Sequence, residues 1–272
     1  MLKIELKKLK LFSLLATILI IPLLANIFGT LNYLLNKEVL QNKWQSLWTQ
    51  TSLFYFMFFI IPLITLIVSS LWSVEHRAGL KLIRTSPLKN INFIMAKSFI
   101  AFIIIAFTQI YFLLLFVLSG KFICGFNIEG LGLYFYYVGI SILSSIPIIS
   151  IMNYLSLKTK SLGLIVLISV LISIFGFSLV AQNIIPALQN IVASSKLAIT
   201  TNHFELIDKM DGMKMLISSL IEASLFTILS NRFLKYEWLK NIFKKIFIKI
   251  YLTKEISLFI IAFIDFEEES TL

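Results

Sequence analysis

Residues 93–119 read FIMAKSFIAFIIIAFTQIYFLLLFVLS. A helix needs about 20 apolar residues to cross a hydrocarbon core roughly 30 Å thick, and this run exceeds that. Comparable runs lie near 11–31, 53–74, 131–155, 162–181 and 213–230. The composition agrees. Apolar residues make up 58% of the chain, charged residues only 14%, and mean hydropathy is +0.93. A soluble domain carries roughly 25% charged residues, so burial in a protein core does not explain the deficit. The chain reads as all-α, a polytopic membrane helical bundle of six transmembrane helices. The run from Leu11 is longer than the apolar stretch of a signal peptide and is expected to stay as the first helix. Connections are short apart from 182–212, and no internal repeat is visible. The expected organisation is one six-span membrane domain over 1–230, opened by an amphipathic helix at 1–10, and a tail at 231–272.

Orientation follows from Lys and Arg in alternate connections. With the N-terminus inside, eighteen of the 24 basic residues fall on the inner side and six on the outer. Both termini are therefore expected in the cytoplasm, as in a multi-pass protein of a bacterial plasma (inner) membrane. The net charge of +10 sits between apolar spans and not on a soluble face with stacking aromatics, which argues against nucleic acid. Positive charge in that position meets anionic lipid. In residues 1–10, Leu2, Leu6 and Leu9 repeat at helical spacing beside Lys3, Lys7 and Lys10. A helix lying on the inner lipid surface would use both stripes; a frayed, basic terminus is the plainer reading. Trp44, Trp48, Phe54, Tyr55 and Phe56 at the outer end of the second span, Trp72 at its inner end, and Tyr134, Tyr136 and Tyr137 on the fourth have two readings. They are headgroup anchors or helix-packing residues.

Chemistry within the chain is sparse. A P-loop ends in Gly-Lys-Ser/Thr, whereas the Gly-Lys pair here, Gly120-Lys121, is followed by Phe122. The chain is not expected to hydrolyse ATP by itself. His76 and His203 fall on opposite sides of the membrane and share no metal; each reads as a solvated loop residue. Cys124 is the single cysteine, so no intramolecular disulfide forms. Glu222 lies deep in the sixth span, where a charge costs about 3 kcal/mol, with Ser218 and Ser219 on its side of the helix. It lines a substrate path, bonds across a dimer seam, or stays protonated against a neighbour. Pro22, Pro62 and Pro147 interrupt three spans. Ser141, Ser144, Ser145, Ser150 and Asn153 give the fourth a polar face suited to helix contacts or a cavity wall.

The inner connection from Trp72 to Leu88, WSVEHRAGLKLIRTSPL, is richer than a link requires. It carries a short apolar and basic turn that Ser86-Pro87 ends, the form of a docking element for a cytosolic partner. Glu75-x-x-x-Gly79, Leu82-Ile83, Ser86-Pro87-Leu88 and Ala96-Lys97 resemble the permease subunits of type-2 ABC exporters. The Glu75-His76-Arg77 form after Phe58-Phe59-Ile60-Ile61-Pro62-Leu63 looks most like the lantibiotic-immunity and bacitracin-resistance branch.

The resemblance implies a fold and a mechanism. Two permease halves pair, as homodimer or heterodimer, and each inner loop docks on a cytosolic ATPase subunit through Glu75, Gly79, Leu80, Ile83, Arg84 and Pro87. ATP hydrolysis there would drive export of a hydrophobic or amphipathic substrate, with the chain itself non-catalytic. Residues 182–212 would correspond to outer re-entrant helices. The tail departs from the pattern. It is basic and aromatic over 232–254, then apolar over Ile256–Ile264, too short to cross, and ends in Asp265-Phe266-Glu267-Glu268-Glu269. An ion-driven carrier centred on Glu222 and a non-transporting scaffold or sensor subunit are the competing readings.

Overall fold

The computed structural model describes residues 2, 5, 8, 11–78, 80, 83, 85–182, 193–204 and 206–236, and among these no strand occurs. The helices are α1 (Leu11–Leu35), α2 (Lys43–Arg77), α3 (Asn90–Ile123), α4 (Gly132–Lys158), α5 (Leu162–Ala181), α6 (Ala193–His203) and α7 (Lys209–Tyr236). All but α6 are long and apolar enough to cross a membrane, in the order the apolar runs predict. The chain divides into two units, Met1–Asn231 and Arg232–Leu272. The tail from residue 237 onward lies outside the described residues.

Two helices outrun the apolar stretches that announce them. At 35 residues, α2 is roughly 50 Å long at 1.5 Å per residue. Its outer arm, Lys43–Phe54, is polar by composition yet inserts Trp44, Leu47, Trp48, Thr51 and Ser52 into the bundle. Small residues on the neighbouring helices permit this. A Cβ on Gly29 of α1 would stand 2.4 Å from Thr51 Cα, and one on Gly120 of α3 2.2 Å from the Trp44 ring.

The middle of α2 shows how a proline is absorbed. Pro62 cannot supply the N–H that the Phe58 carbonyl would take in a regular helix. Immediately before it the helix widens into a π-turn over Tyr55–Phe59, a common way to relieve such a break. Ser173 Oγ of α5 donates to the Met57 carbonyl within that turn, so a neighbouring helix satisfies backbone that the turn leaves open. The proline anchors a packed widening, not a bare kink.

The aromatic residues resolve in favour of packing. Trp48, Tyr55, Phe56, Trp72, Tyr134 and Tyr137 are buried. Trp48 stacks on Tyr137 (centroids 6.0 Å, 19°) and meets Phe116 edge-on at 5.0 Å, while Tyr55 stacks on Phe112 at 4.1 Å. Trp44 Nε1 donates to the Asn127 carbonyl at 2.7 Å. For these residues the packing reading holds, because their rings are spent on contacts between α2, α3 and α4. The serines of α4 are buried too, and Ser141, Ser144, Ser145 and Ser150 bond carbonyls of their own helix.

Beyond α5, α6 occupies the long outer connection. Eleven residues span only about 16 Å, too little to cross. It packs against α5, α4 and the outer arm and π-turn of α2, with Leu197 and Thr201 buried. Residues 183–192, Pro186 among them, lie outside the described residues. Burial of the most apolar window falls from 61% in α2 to 6% in α7, which makes α2 the core helix and α7 the most peripheral.

Gly29→Leu should therefore force α1 off α2. Overpacking costs about 1–3 kcal/mol and more where backbone must move. The thermal midpoint in detergent should drop by several degrees, while Gly139→Leu, at a position with open space around it, should leave it unchanged.

Candidate functional site

The inner end of the bundle holds four charged side chains that the sequence separates widely. Glu75 closes α2, Lys97 lies two turns into α3, and Glu5 and Lys8 come from the segment before α1. Glu75 and Lys97 are both 0% exposed, and Glu5 is buried with them. Lys97 Nζ donates to Glu5 Oε2, to the Leu71 carbonyl at 2.8 Å and to Glu75 Oε1 at 3.4 Å. An ammonium has three protons to give, and all three are used. The same nitrogen lies 4.9 Å from the centre of the Trp72 ring, a further contact for a desolvated cation. Lys8 Nζ closes the cluster, 2.7 Å from Glu5 Oε1 and 2.7 Å from Glu75 Oε1.

Two carboxylates and two ammoniums leave no net charge, which is what a dry site requires. Glu75 stands at a helix C-terminus, where the macrodipole repels an anion; the two lysines offset that. Burial alone would push the Glu5 carboxyl up, but Lys97 and Lys8, by charge and hydrogen bond, hold it below its usual 4.5. Burial likewise works against the Lys8 ammonium, and its bonds to Glu5 and Glu75 hold it above 10.5. Glu75 Oε2 is buried with no hydrogen-bond partner among the described residues.

A second set of bonds ties this end of α2 to α4. Trp72 Nε1 donates to Asn153 Oδ1 at 2.6 Å, and Asn153 Nδ2 donates to Ser98 Oγ of α3 at 2.8 Å. Ser69 and Ser156 hydroxyls meet at 3.0 Å, and His76 Nε2 bonds the Ser156 carbonyl. His76 is thus not a solvated loop residue: its ring is half-buried and fixed. His203 is exposed.

Between α2 and α3 hangs the inner loop. Of its candidate docking residues, Glu75, Leu80 and Ile83 are buried, and Pro87 is exposed together with Leu88 at 45%. Gly79 and Arg84 lie outside the described residues. Leu80, three residues past the end of α2, has a positive φ of 59°, its N–H 2.8 Å from the Glu75 carbonyl, an uncommon conformation for a bulky side chain. A surface role for Glu75 does not fit: its carboxylate is spent on lysines inside the protein. Among the described residues of the loop, Thr85, Pro87 and Leu88 are exposed. The remaining candidate, Glu222, is half-buried on α7, and its Oε1 has no partner among the described residues. It stands apart from the ion cluster, on the sixth span. Among the described residues no group of three His, Cys, Asp or Glu could hold a metal.

Residues 1–176 match the family model described as ABC-2 family transporter protein. The chain belongs to that family. No curated protein and no solved structure matches it. The matched region contains the whole ion cluster, the inner loop and its ties to α4. This ABC-2 protein is thus a permease subunit, the membrane part of an ABC transporter, and the family implies an ATPase partner in general terms.

Lys97→Met should be the most damaging single change in the permease's inner end. It leaves two carboxylates buried with one lysine between them, and breaking a buried pair costs about 3–5 kcal/mol. Thermal unfolding should register that loss, and Glu5→Gln added to Lys97→Met should recover part of it. Acid should reach the same cluster. Because the folded Glu5 value lies below the unfolded one, its contribution is complete above pH 4.5 and lost as pH falls through the lower folded value. The acid limb of the stability profile should shrink in Glu5→Gln.

Proposed function

We propose that this permease subunit works in a bacterial plasma membrane as half of a two-subunit export path, driven by a cytosolic ABC ATPase that docks on the inner loop. The observation that carries this reading is the position of the loop. It is short, it presents Pro87 and Leu88 outward, and both of its roots enter helices clamped by one ion cluster. A push delivered at Pro87-Leu88 would load Glu75 and Lys97 directly. From there it would reach the N-terminal segment through Glu5 and Lys8, and α4 through Trp72-Asn153. Helices move as packed units between discrete arrangements, so the loop acts as the handle and the cluster as the joint. Nucleotide and Mg would be held by the ATPase.

The substrate class we assign is a hydrophobic or amphipathic molecule, such as an antimicrobial peptide. It rests on the likeness of the Glu75-His76-Arg77 segment to permeases of lantibiotic immunity and bacitracin resistance. A second permease subunit, identical or merely similar, would complete the path. Glu222 favours a second reading, a carrier driven by an ion gradient, because an unpartnered carboxyl oxygen within a span is what such a carrier would use. A scaffold or sensor subunit would lack transport altogether.

Pro87→Asp with Leu88→Asp should separate these. In the permease reading the double variant folds and inserts normally but loses co-purification of the ATPase at least tenfold, and substrate export falls with it. Transport that persists without any ATPase and collapses with the proton or sodium gradient would instead select the Glu222 carrier, and Glu222→Gln would then abolish it.

A further inference from the structure

On the other side of α2 from the ion cluster, the inner end opens into a cavity of about 320 Å³. Ser73, His76 and Arg77 of α2 line it with Thr159 and Lys160, which follow α4, and Leu162, which begins α5. No carboxylate lines the cavity, and neither Arg77 nor Lys160 pairs with one among the described residues. The contrast with the neighbouring site is informative. There two lysines are neutralised by two carboxylates; here Arg77 and Lys160, both exposed, line a concave surface with hydroxyls and no carboxylate among the described residues. The His76 ring is held in the wall by the Ser156 carbonyl.

A third source of positive potential is backbone. The cavity reaches the N-terminus of α5, a 20-residue helix whose cap, Ser161, accepts from Leu164 N. The first N–H groups of a helix have no partner within it, and together with the dipole they attract anions. Arg77 adds a planar donor fork suited to phosphate oxygens. The α5 wall is apolar: Leu162 is half-exposed, and only 22% of the α5 apolar window is buried. Cationic groups therefore line a cavity beside a little-buried apolar helix, and basic pockets between membrane helices are where anionic headgroups bind.

We propose that this cavity is a phosphate-binding site that takes the headgroup of an anionic phospholipid from the inner leaflet. Arg77 and Lys160 bind the phosphate, Thr159 supplies a hydroxyl donor, and Leu162 carries the first part of the acyl region. Occupancy would pin α5 to the junction of α2 and α4. The site does not depend on an ATPase partner, so its test is separate from that of transport.

The full chain purified in detergent should retain phosphatidylglycerol, but not phosphatidylcholine, by native mass spectrometry. Added phosphatidylglycerol should raise its thermal midpoint. Arg77→Gln with Lys160→Gln should weaken retention at least tenfold, while Lys37→Gln with Lys43→Gln, at the opposite end, should not. Thr159→Trp, which fills the cavity and keeps both charges, should also displace the lipid. Raised salt should weaken binding in the wild type. Equal phosphatidylglycerol retention by wild type and both cavity variants would overturn the proposal. So would stabilisation by inorganic phosphate at millimolar concentration without any lipid retention, which would make the ligand a soluble anion.

Discussion

An ammonium group without water must find other oxygens, and Lys97 imposes that demand on everything around it. Its three protons reach Glu5, Glu75 and the Leu71 carbonyl, groups from the N-terminal segment and from α2. Lys8, bonded to Glu5 and Glu75, adds a second tie between the N-terminal segment and α2. The apolar faces of α2 and α3 would pack in several rotations about their axes, because hydrophobic contact is non-directional. Lys97 selects one. With it set, Trp72 lies beside the ammonium and reaches Asn153, and the loop is left hanging between two immobilised roots.

The two ends of the bundle are therefore built from different forces. Outside, Trp48, Phe112, Phe116, Tyr134 and Tyr137 interlock as rings, and Gly29 and Gly120 let backbones close on the α2 arm. Such packing resists deformation in all directions. Inside, few strong bonds carry the load, and each has a defined donor and acceptor. A joint of that kind changes state by exchanging partners. The π-turn at Tyr55–Phe59 lies between the two regimes, at the point where the long α2 is least regular.

Much of this could be read from the residues, and the divide follows the range of the interactions. Six spans depend on local composition, which survives without a fold. The inner loop stood out for the same reason: its proline, glycine and basic turn are contiguous. The ion cluster was hidden because its members lie 92 positions apart at the extreme. The signal that could have found it was present in Lys97, a charge inside an apolar run, and in Glu5, a lone acid among lysines. A buried charge needs a partner, and the acids near the inner boundary are few. Glu222 is the more conspicuous acid by position, within a span, but it lies on the helix with least burial. The aromatic residues failed differently. Their spacing is the same whether a helix ends at the interface or runs on beyond it, and only the packing of Lys43–Phe54 decides.

Stability alone does not explain why charges occupy the joint. A buried ion cluster replaced by apolar groups of similar volume is often as stable or more so. What the charges add is direction and registry. Glu5 could not slide by one residue along α3 without giving up its bond to Lys97, and Glu75 could not turn outward without abandoning both lysines. Any displacement of the loop roots must therefore move the N-terminal segment, α2 and α3 together or break a desolvated bond. An apolar joint would let the loop move while the spans stayed behind. The ionic one makes the movement of the spans the cheaper outcome, which is what the docking we propose at Pro87-Leu88 would require.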